Sequence, residues 1–234
     1  MKILITNDDG IQSPGLWALQ HAIAPHAETI VAAPSHEQSG RGASISLPGP
    51  VETSQLFCYP CEAHSVQGTP ADCIRFAFKN LSKPDLVVSG INPGANSGRF
   101  LFCSGTVGGA IEAVLRGIPS IAFSCENMHD PQFERFAKYS VPIIRHTSTH
   151  PIPPGTLLNV NFPAPKTLET LGLSDVAGIR CTRHARTCGK RASQCEHYWI
   201  ERGYITVVPI YIGELTNWLY LHKAKTQFES LTLS

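Results

Sequence analysis

The chain has 234 residues, 42% of them hydrophobic and 16% charged, with a formal net charge of +1. That length suits one large domain with room for an appendage, and that composition excludes a disordered chain. The near-neutral balance gives no long-range pull toward nucleic acid or a membrane surface, and no apolar run approaches the ~20 residues of a membrane span.

Met1 to Ile5 is a short apolar run of the kind a buried parallel strand uses. It stops at Thr6-Asn7-Asp8-Asp9-Gly10, two adjacent carboxylates and a glycine that allows a sharp turn. Asp8 and Asp9 fall where a secretory leader would need apolar residues, so no signal peptide is expected. Ser13-Pro14 is a helix start, and Leu16, Leu19 and Ile23 share one face up to Pro25. Residues 29–33 read as a second strand, followed by a polar loop from Ser35 to Ser44. Residues 45–66 read as extended segments broken by prolines. Thr69-Pro70-Ala71-Asp72 opens another helix, with cap, first-turn proline and early acid. Its buried stripe is Ile74, Ala77, Phe78 and Leu81.

Residues 85–89 form a third strand, with a loop expected from Gly90 to Cys103. Val107, Ala110, Ile111, Val114 and Leu115 give the clearest helical stripe in the chain, closed by Gly117 and Pro119. Residues 120–124 and 157–162 are further strands, and 132–148 is a helix interrupted at Pro142. Beyond 162 the alternation changes: strands at 176–183 and 203–212 flank a polar, basic, cysteine-containing segment. Leu215 to Phe228 is apolar and aromatic with no evident partner in the chain. The fold class expected is α/β, a Rossmann-like, mostly parallel sheet flanked by helices over 1–162. A β-containing C-terminal extension would follow over 163–234. Eight cysteines without an export signal indicate reduced thiols and a cytoplasmic protein. Cys58-x-x-Cys61 and the seven-residue spacing of Cys181, Cys188 and Cys195 fit no zinc pattern.

In a doubly wound sheet, ligands bind beyond the carboxyl ends of the strands. Three loops occupy such places: Asn7 to Gly10, Ser35 to Ser44, and Gly90 to Thr106. If their strands are neighbours, the loops meet over one crevice. Adjacent carboxylates such as Asp8 and Asp9 repel unless a cation or proton lies between them, and hard divalent cations prefer oxygen ligands. Ser104-Gly105-Thr106 opens the clear helix, where free N–H groups and the dipole favour an anion. Neither a Walker loop nor a dinucleotide fingerprint is present.

These segments resemble the SurE survival-protein nucleotidases. The resemblance rests on Thr6 to Gly10, Glu37-Gln38-Ser39-Gly40, Gly68 to Cys73, Val88 to Asn92, Gly94-Ala95-Asn96, Ser104 to Gly108 and Gly117 to Ala122. It is strong over residues 1–125 and weaker beyond, through Asn159 to Pro163, Thr182-Arg183 and Gly203-Tyr204. It implies a phosphatase that releases phosphate from nucleoside 5'-monophosphates, and also 3'-monophosphates, with one divalent cation, Mg²⁺ or Mn²⁺. The implied metal ligands are Asp8, Asp9, Ser39 and Asn92. Asn96, Ser104, Gly105 and Thr106 are the implied phosphate residues. Asp8 and Asp9 are expected to be the catalytic carboxylates, with Asp9 the candidate to relay a proton, a role the sequence does not assign. A homodimer or homotetramer through the C-terminal tail is implied as well.

The sequence departs from the family's pattern in three places. Phe100 stands where members carry an acid in a Gly-Thr-Asp segment. Asn92-Pro93-Gly94 replaces Asn-Arg-Gly. The stretch from Gln194 to Trp199 lacks the expected Thr-Asp pairs. All three leave the metal ligands in place and bear on substrate range and turnover. A metal-dependent deacetylase on a similar sheet typically carries a histidine before its acids, where Asn7 stands here. A nucleotide- or RNA-binding protein without turnover would use the basic run Arg180, Arg183, Arg186, Lys190 and Arg191, which is more simply a solvated surface.

Overall fold

The computed structural model describes residues 1–47, 51–127, 129, 132–183 and 195–213. Its centre is β1 (Lys2–Thr6), the continuous apolar run at the N-terminus. Parallel to it on one side lie β2 (Glu28–Pro34) and then β4 (Glu62–Val66), with β3 (Thr53–Leu56) antiparallel at that edge. On the other side come β5 (Leu86–Pro93), β6 (Ser120–Cys125) and β7 (Thr156–Phe162), all parallel. The sheet continues into the C-terminal extension: β9 (Tyr204–Tyr211) runs antiparallel to β7, and β8 (Gly178–Cys181) pairs with β9. The order is β3-β4-β2-β1-β5-β6-β7-β9-β8. Strands β2, β1 and β5 are therefore neighbours, so the three loops singled out from the sequence do open on one stretch of the sheet's edge.

Alternation along the strands sends side chains to opposite faces. Ile3, Ile5, Val31 and Val88 pack on one face with α1 (Pro14–Ile23) and α5 (Phe133–Thr149). Leu4, Ile30, Ala32 and Val87 pack on the other, with α2 (Pro70–Asn80), while α4 (Gly105–Leu115) lies against α2 there. Covering both faces is why the central strands read as unbroken apolar runs. Phe162 adds a ring stack between Phe123 and Phe136, with centroids 5.7 and 5.5 Å away. Each such fully buried side chain contributes roughly 1.5–3 kcal/mol.

The helix starts follow their residues. Thr69 and Asp72 form a reciprocal capping box at α2, with Pro70 in the first turn. Ser104 Oγ accepts from the Val107 N–H at 3.1 Å and caps α4. The α4 stripe differs at one position: Leu115 is exposed, and Ala113 takes the buried place.

Three further segments differ from expectation. Strand β5 does not end at Ser89. It resumes pairing with β6 through Asn92 and Pro93 after a register shift. Gly90 lets it do so, at φ +129°, because a Cβ there would stand 2.2 Å from the Phe123 carbonyl oxygen. Helix α5 runs through Pro142 without a break. Pro142 and Lys138 both lie on the exposed side, so the carbonyl that loses its donor faces water. The loop leading to Ser104 contains a short helix, α3 (Phe100–Cys103), and the extension contains α6 (Pro165–Thr170) and α7 (Glu196–Ile200).

The seven described cysteines are all free thiols, and among the described residues no helix is long and apolar enough to cross a membrane. Arg180 lies over the rings of Trp199 and Tyr204, 4.5 and 5.0 Å from their centroids. Cys188, Arg186, Lys190, Arg191 and the apolar tail lie outside the described residues.

Candidate metal centre and phosphate site

Strand β1 delivers Asp8 and Asp9 to the carboxyl edge of the sheet. The turn after it is fixed by Asn7, whose Nδ2 donates to the Gly10 carbonyl at 3.0 Å, and by Gly10 at φ +101°. Asp8 is buried. Its Oδ1 accepts from the Thr106 hydroxyl, and the backbone N–H groups of Gly105 and Thr106 also support its carboxylate. The start of α4 thus already faces an anion, the Asp8 side chain. Gly105 is required there: a Cβ would lie 2.7 Å from Asp8 Cβ.

Burial raises the pKa of Asp8 above the usual carboxylate value, against the pull of those donors. Asp9 is pushed up to about 7, first by burial, then by the charges of Asp8 and Glu37. Its Oδ2 is buried with no hydrogen-bond partner. A buried, unpaired carboxylate oxygen beside a second buried carboxylate is costly, and a bound cation removes that cost.

The loop after β2 approaches through the Gln38 N–H, which donates to the Asp8 carbonyl at 2.7 Å. Close packing of this loop on α4 depends on Gly108, where a Cβ would stand 2.0 Å from the Gly42 carbonyl oxygen. Ser39 Oγ donates to Glu37 Oε1 at 2.8 Å, which leaves its lone pairs as acceptors. Asn92, at the end of β5, donates through Nδ2 to the Gly94 carbonyl at 2.6 Å, which leaves Oδ1 as an acceptor. The donor set is two carboxylates, a hydroxyl and a carboxamide oxygen. All are hard oxygens of the kind Mg²⁺ and Mn²⁺ take, so the residues present fit a divalent cation. Among the described residues no cluster of three His, Cys, Asp or Glu side chains is arranged for a metal.

Asp8, Ser39, Asn92, Asn96, Phe100 and Ser104 share the wall of one cavity of about 430 Å³. Gly105 and Thr106 lie behind it, against Asp8. Asn96 is buried and held on several sides. Its N–H donates to Asn161 Oδ1 at 2.9 Å, its carbonyl accepts from Asn159 Nδ2 at 2.8 Å, and its Nδ2 donates to Ser124 Oγ at 2.8 Å. One Nδ2 proton remains for a ligand. Phe100 is 57% exposed, with the Arg99 guanidinium 5.1 Å from its ring centroid.

Two acids escaped the sequence reading. Glu126 follows the end of β6 and lines the same cavity; burial raises its pKa, and the neighbouring His197 opposes that. The rule of strand carboxyl ends would have found it. Glu196 is almost wholly buried at the start of α7, and burial pushes it up to about 7. It lies in the stretch that departs from the family pattern, where no periodic signal marked it.

A family model described as "Survival protein SurE" matches residues 3–191. A protein named 5'-nucleotidase SurE from Protochlamydia amoebophila is 36% identical, with 97% of each chain covered. Another, 5'-nucleotidase SurE 1 from Thermus thermophilus, is 40% identical over 90% of this chain and 91% of its own. The crystal structure of the SurE protein from Aquifex aeolicus superposes with a TM-score of 0.84 at 32% identity, covering 97% of this chain and 99% of that one. On sequence and fold alike, this chain belongs to the survival protein SurE family.

Proposed function

We propose that this chain is a divalent-metal-dependent phosphatase that hydrolyses nucleoside 5'-monophosphates, with 3'-monophosphates also accepted. The observation that carries the reading is the partnerless, buried Asp9 Oδ2 next to Asp8, which itself lines a cavity with Ser39, Asn92 and Asn96. Relatives named 5'-nucleotidase supply the substrate class. Asp8, Asp9, Ser39 and Asn92 would hold one Mg²⁺ or Mn²⁺. When bound, such a cation supplies positive charge to phosphoryl oxygens and lowers the pKa of a water.

The chain's own residues do the rest. Thr106 and the N–H groups of Gly105 and Thr106 fix the Asp8 carboxylate in one orientation. Asn96 offers its remaining amide proton to a phosphate oxygen, and Ser104 places a hydroxyl on the same wall. These donors are anchored before substrate arrives, so they stabilise developing charge without reorganising. The leaving nucleoside would lie toward Phe100.

The tail, with Trp218, Leu219, Tyr220 and Leu221, is too apolar to stay in water as a patch. It accords with a homodimer or homotetramer formed through residues 214–234, and the free thiols accord with a cytoplasmic setting. The test of the function is phosphate release from a panel of nucleoside 5'- and 3'-monophosphates and an aryl phosphate, with Mn²⁺ or Mg²⁺ present. Release from the nucleotides is expected; release from the aryl phosphate alone would overturn the substrate assignment.

A further inference from the structure

We propose that Glu196, delivered by the C-terminal extension, is a positioning residue that sets the Asn96–Gly98 loop for phosphate binding; this deepens the nucleotidase reading and rests on it. Glu196 is 1% exposed at the first position of α7, far along the chain from the loop it serves. Its Oε1 accepts from the Gly98 N–H at 3.3 Å, and its Oε2 accepts from Asn161 Nδ2 at 3.5 Å. Asn161 in turn presents Oδ1 to the Asn96 N–H at 2.9 Å. One carboxylate therefore holds the loop at both ends, directly at Gly98 and through Asn161 at Asn96.

The polarity of this relay is fixed. With both oxygens of Glu196 accepting, the Asn161 carboxamide must turn its nitrogen toward Glu196 and its oxygen toward Asn96. The opposite orientation would set a carbonyl oxygen against a carboxylate and an amide nitrogen against the Asn96 N–H. Asn96 is thus held with its backbone donor satisfied and its side chain committed to Ser124, one amide proton short of full use. A buried acid with these contacts is expensive to keep for packing alone. An apolar side chain of similar size would fill the space, but it would leave the Gly98 donor unmet and Asn161 Nδ2 with the Asn96 carbonyl, 3.4 Å away, in place of two acceptors.

A charge swap tests this. Glu196→Gln preserves the acceptor toward Gly98 and turns an amide nitrogen on Asn161 Nδ2, donor against donor. Asn161→Asp sets two carboxylates together. The double variant restores an acceptor at position 161 for both the new amide and the Asn96 N–H, and gives up only the longer Asn161 Nδ2 contact to the Asn96 carbonyl at 3.4 Å, which Asn159 Nδ2 also meets at 2.8 Å. The measurements, on the full chain with Mn²⁺, are inorganic phosphate affinity by calorimetry, kcat and KM for a nucleoside monophosphate, Mn²⁺ affinity, and hydrogen exchange at the Gly98 amide. Each single variant should weaken phosphate roughly tenfold or more, about 1.4 kcal/mol per decade. The loss should appear in KM and in faster Gly98 exchange, with Mn²⁺ affinity unchanged. The double variant should recover most of the affinity. Losses that simply add in the double variant, or folded single variants with wild-type phosphate affinity, would overturn the proposal. If one single variant fails to fold, recovery or its absence in the double variant still decides. Wild-type protein that neither binds phosphate nor releases it would instead sink the nucleotidase reading, and the positioning role would fall with it.

Discussion

Gly105 stands where α4 begins, with the Asp8 side chain against it, and Gly105→Ala puts the account under direct load. The added Cβ would lie 2.7 Å from Asp8 Cβ, 2.9 Å from Oδ2 and 3.1 Å from Cγ. Non-bonded carbons rest at about 3.5–4.0 Å, so Asp8 must withdraw by roughly 0.8 Å. It has little room to do so, since Thr106 holds its Oδ1 and the Gln38 N–H holds its carbonyl at 2.7 Å. Overpacking of this kind costs about 1–3 kcal/mol of stability. A displacement near 1 Å at a reacting centre costs on the order of 10²-fold in rate. The variant should therefore fold with a lowered midpoint and lose about two decades of kcat/KM, read by phosphate release at saturating Mn²⁺. Gly109→Ala is the control. It lies on the same helix, and its nearest neighbours are Pro70 Cβ and Thr6 Cγ2, each at 3.2 Å, not Asp8. It should lose stability while keeping turnover. Wild-type kcat/KM in Gly105→Ala, or an equal loss in Gly109→Ala, would refute the reasoning.

Further predictions concern the second buried acid, the altered loop and the tail. Glu196 has its pKa raised from the ordinary 4.5 to about 7 by burial. Burial penalises its charged form, so the carboxylate that holds the Asn96–Gly98 loop forms as pH rises through 7, and the stability present below about pH 4.5 falls by up to about 3 kcal/mol over that rise. Glu196→Gln, neutral throughout, should carry the cost of its Asn161 contact at every pH but fall less steeply than wild type between pH 5 and 8 in denaturant titrations; parallel curves would contradict this. Phe100→Asp should change the ratio of turnover on ribose and deoxyribose monophosphates more than turnover on an aryl phosphate, because Phe100 lines the cavity but is not among the groups that support the Asp8 carboxylate. Equal effects on all three substrates would assign Phe100 to loop order instead. Deleting residues 214–234 should reduce the mass seen by light scattering to that of the monomer or cause aggregation, and a full-length protein that is already monomeric would count against the tail's role.

What could be read from the sequence was what local pattern controls. Ile3 to Ile5, buried on both faces, needed to be apolar throughout, and Leu16, Leu19 and Ile23 needed helical spacing. The edge of the sheet was legible because strand ends are marked by sudden polarity, as at Asn7-Asp8-Asp9. Tertiary terms decided the rest. Gly90 and Pro93 read as loop residues, yet pairing with β6 carries the strand through them. Pro142 read as a break, yet solvent takes the carbonyl it leaves unpaired. Thr106 looked like a phosphate ligand at a helix start, and in the structure its hydroxyl donates to Asp8, a partner 98 residues away in the chain. Glu196 carried no local signal, because its burial exists only once β7, α7 and the Asn96 loop have come together.

The central claim is that Asp8 and Asp9 hold a divalent cation on which phosphate release depends. The most direct measurement is the rate of phosphate release from a nucleoside 5'-monophosphate by chelated protein, before and after Mn²⁺ is restored, for wild type and Asp9→Asn. Wild type should be inactive after chelation and recover fully with Mn²⁺, while Asp9→Asn, folded to the same extent, should stay below about 1% of that rate, as loss of a principal charged group at a reacting centre commonly gives 10²-fold or more. Undiminished release from the chelated wild type, or full activity in Asp9→Asn at saturating Mn²⁺, would contradict the account.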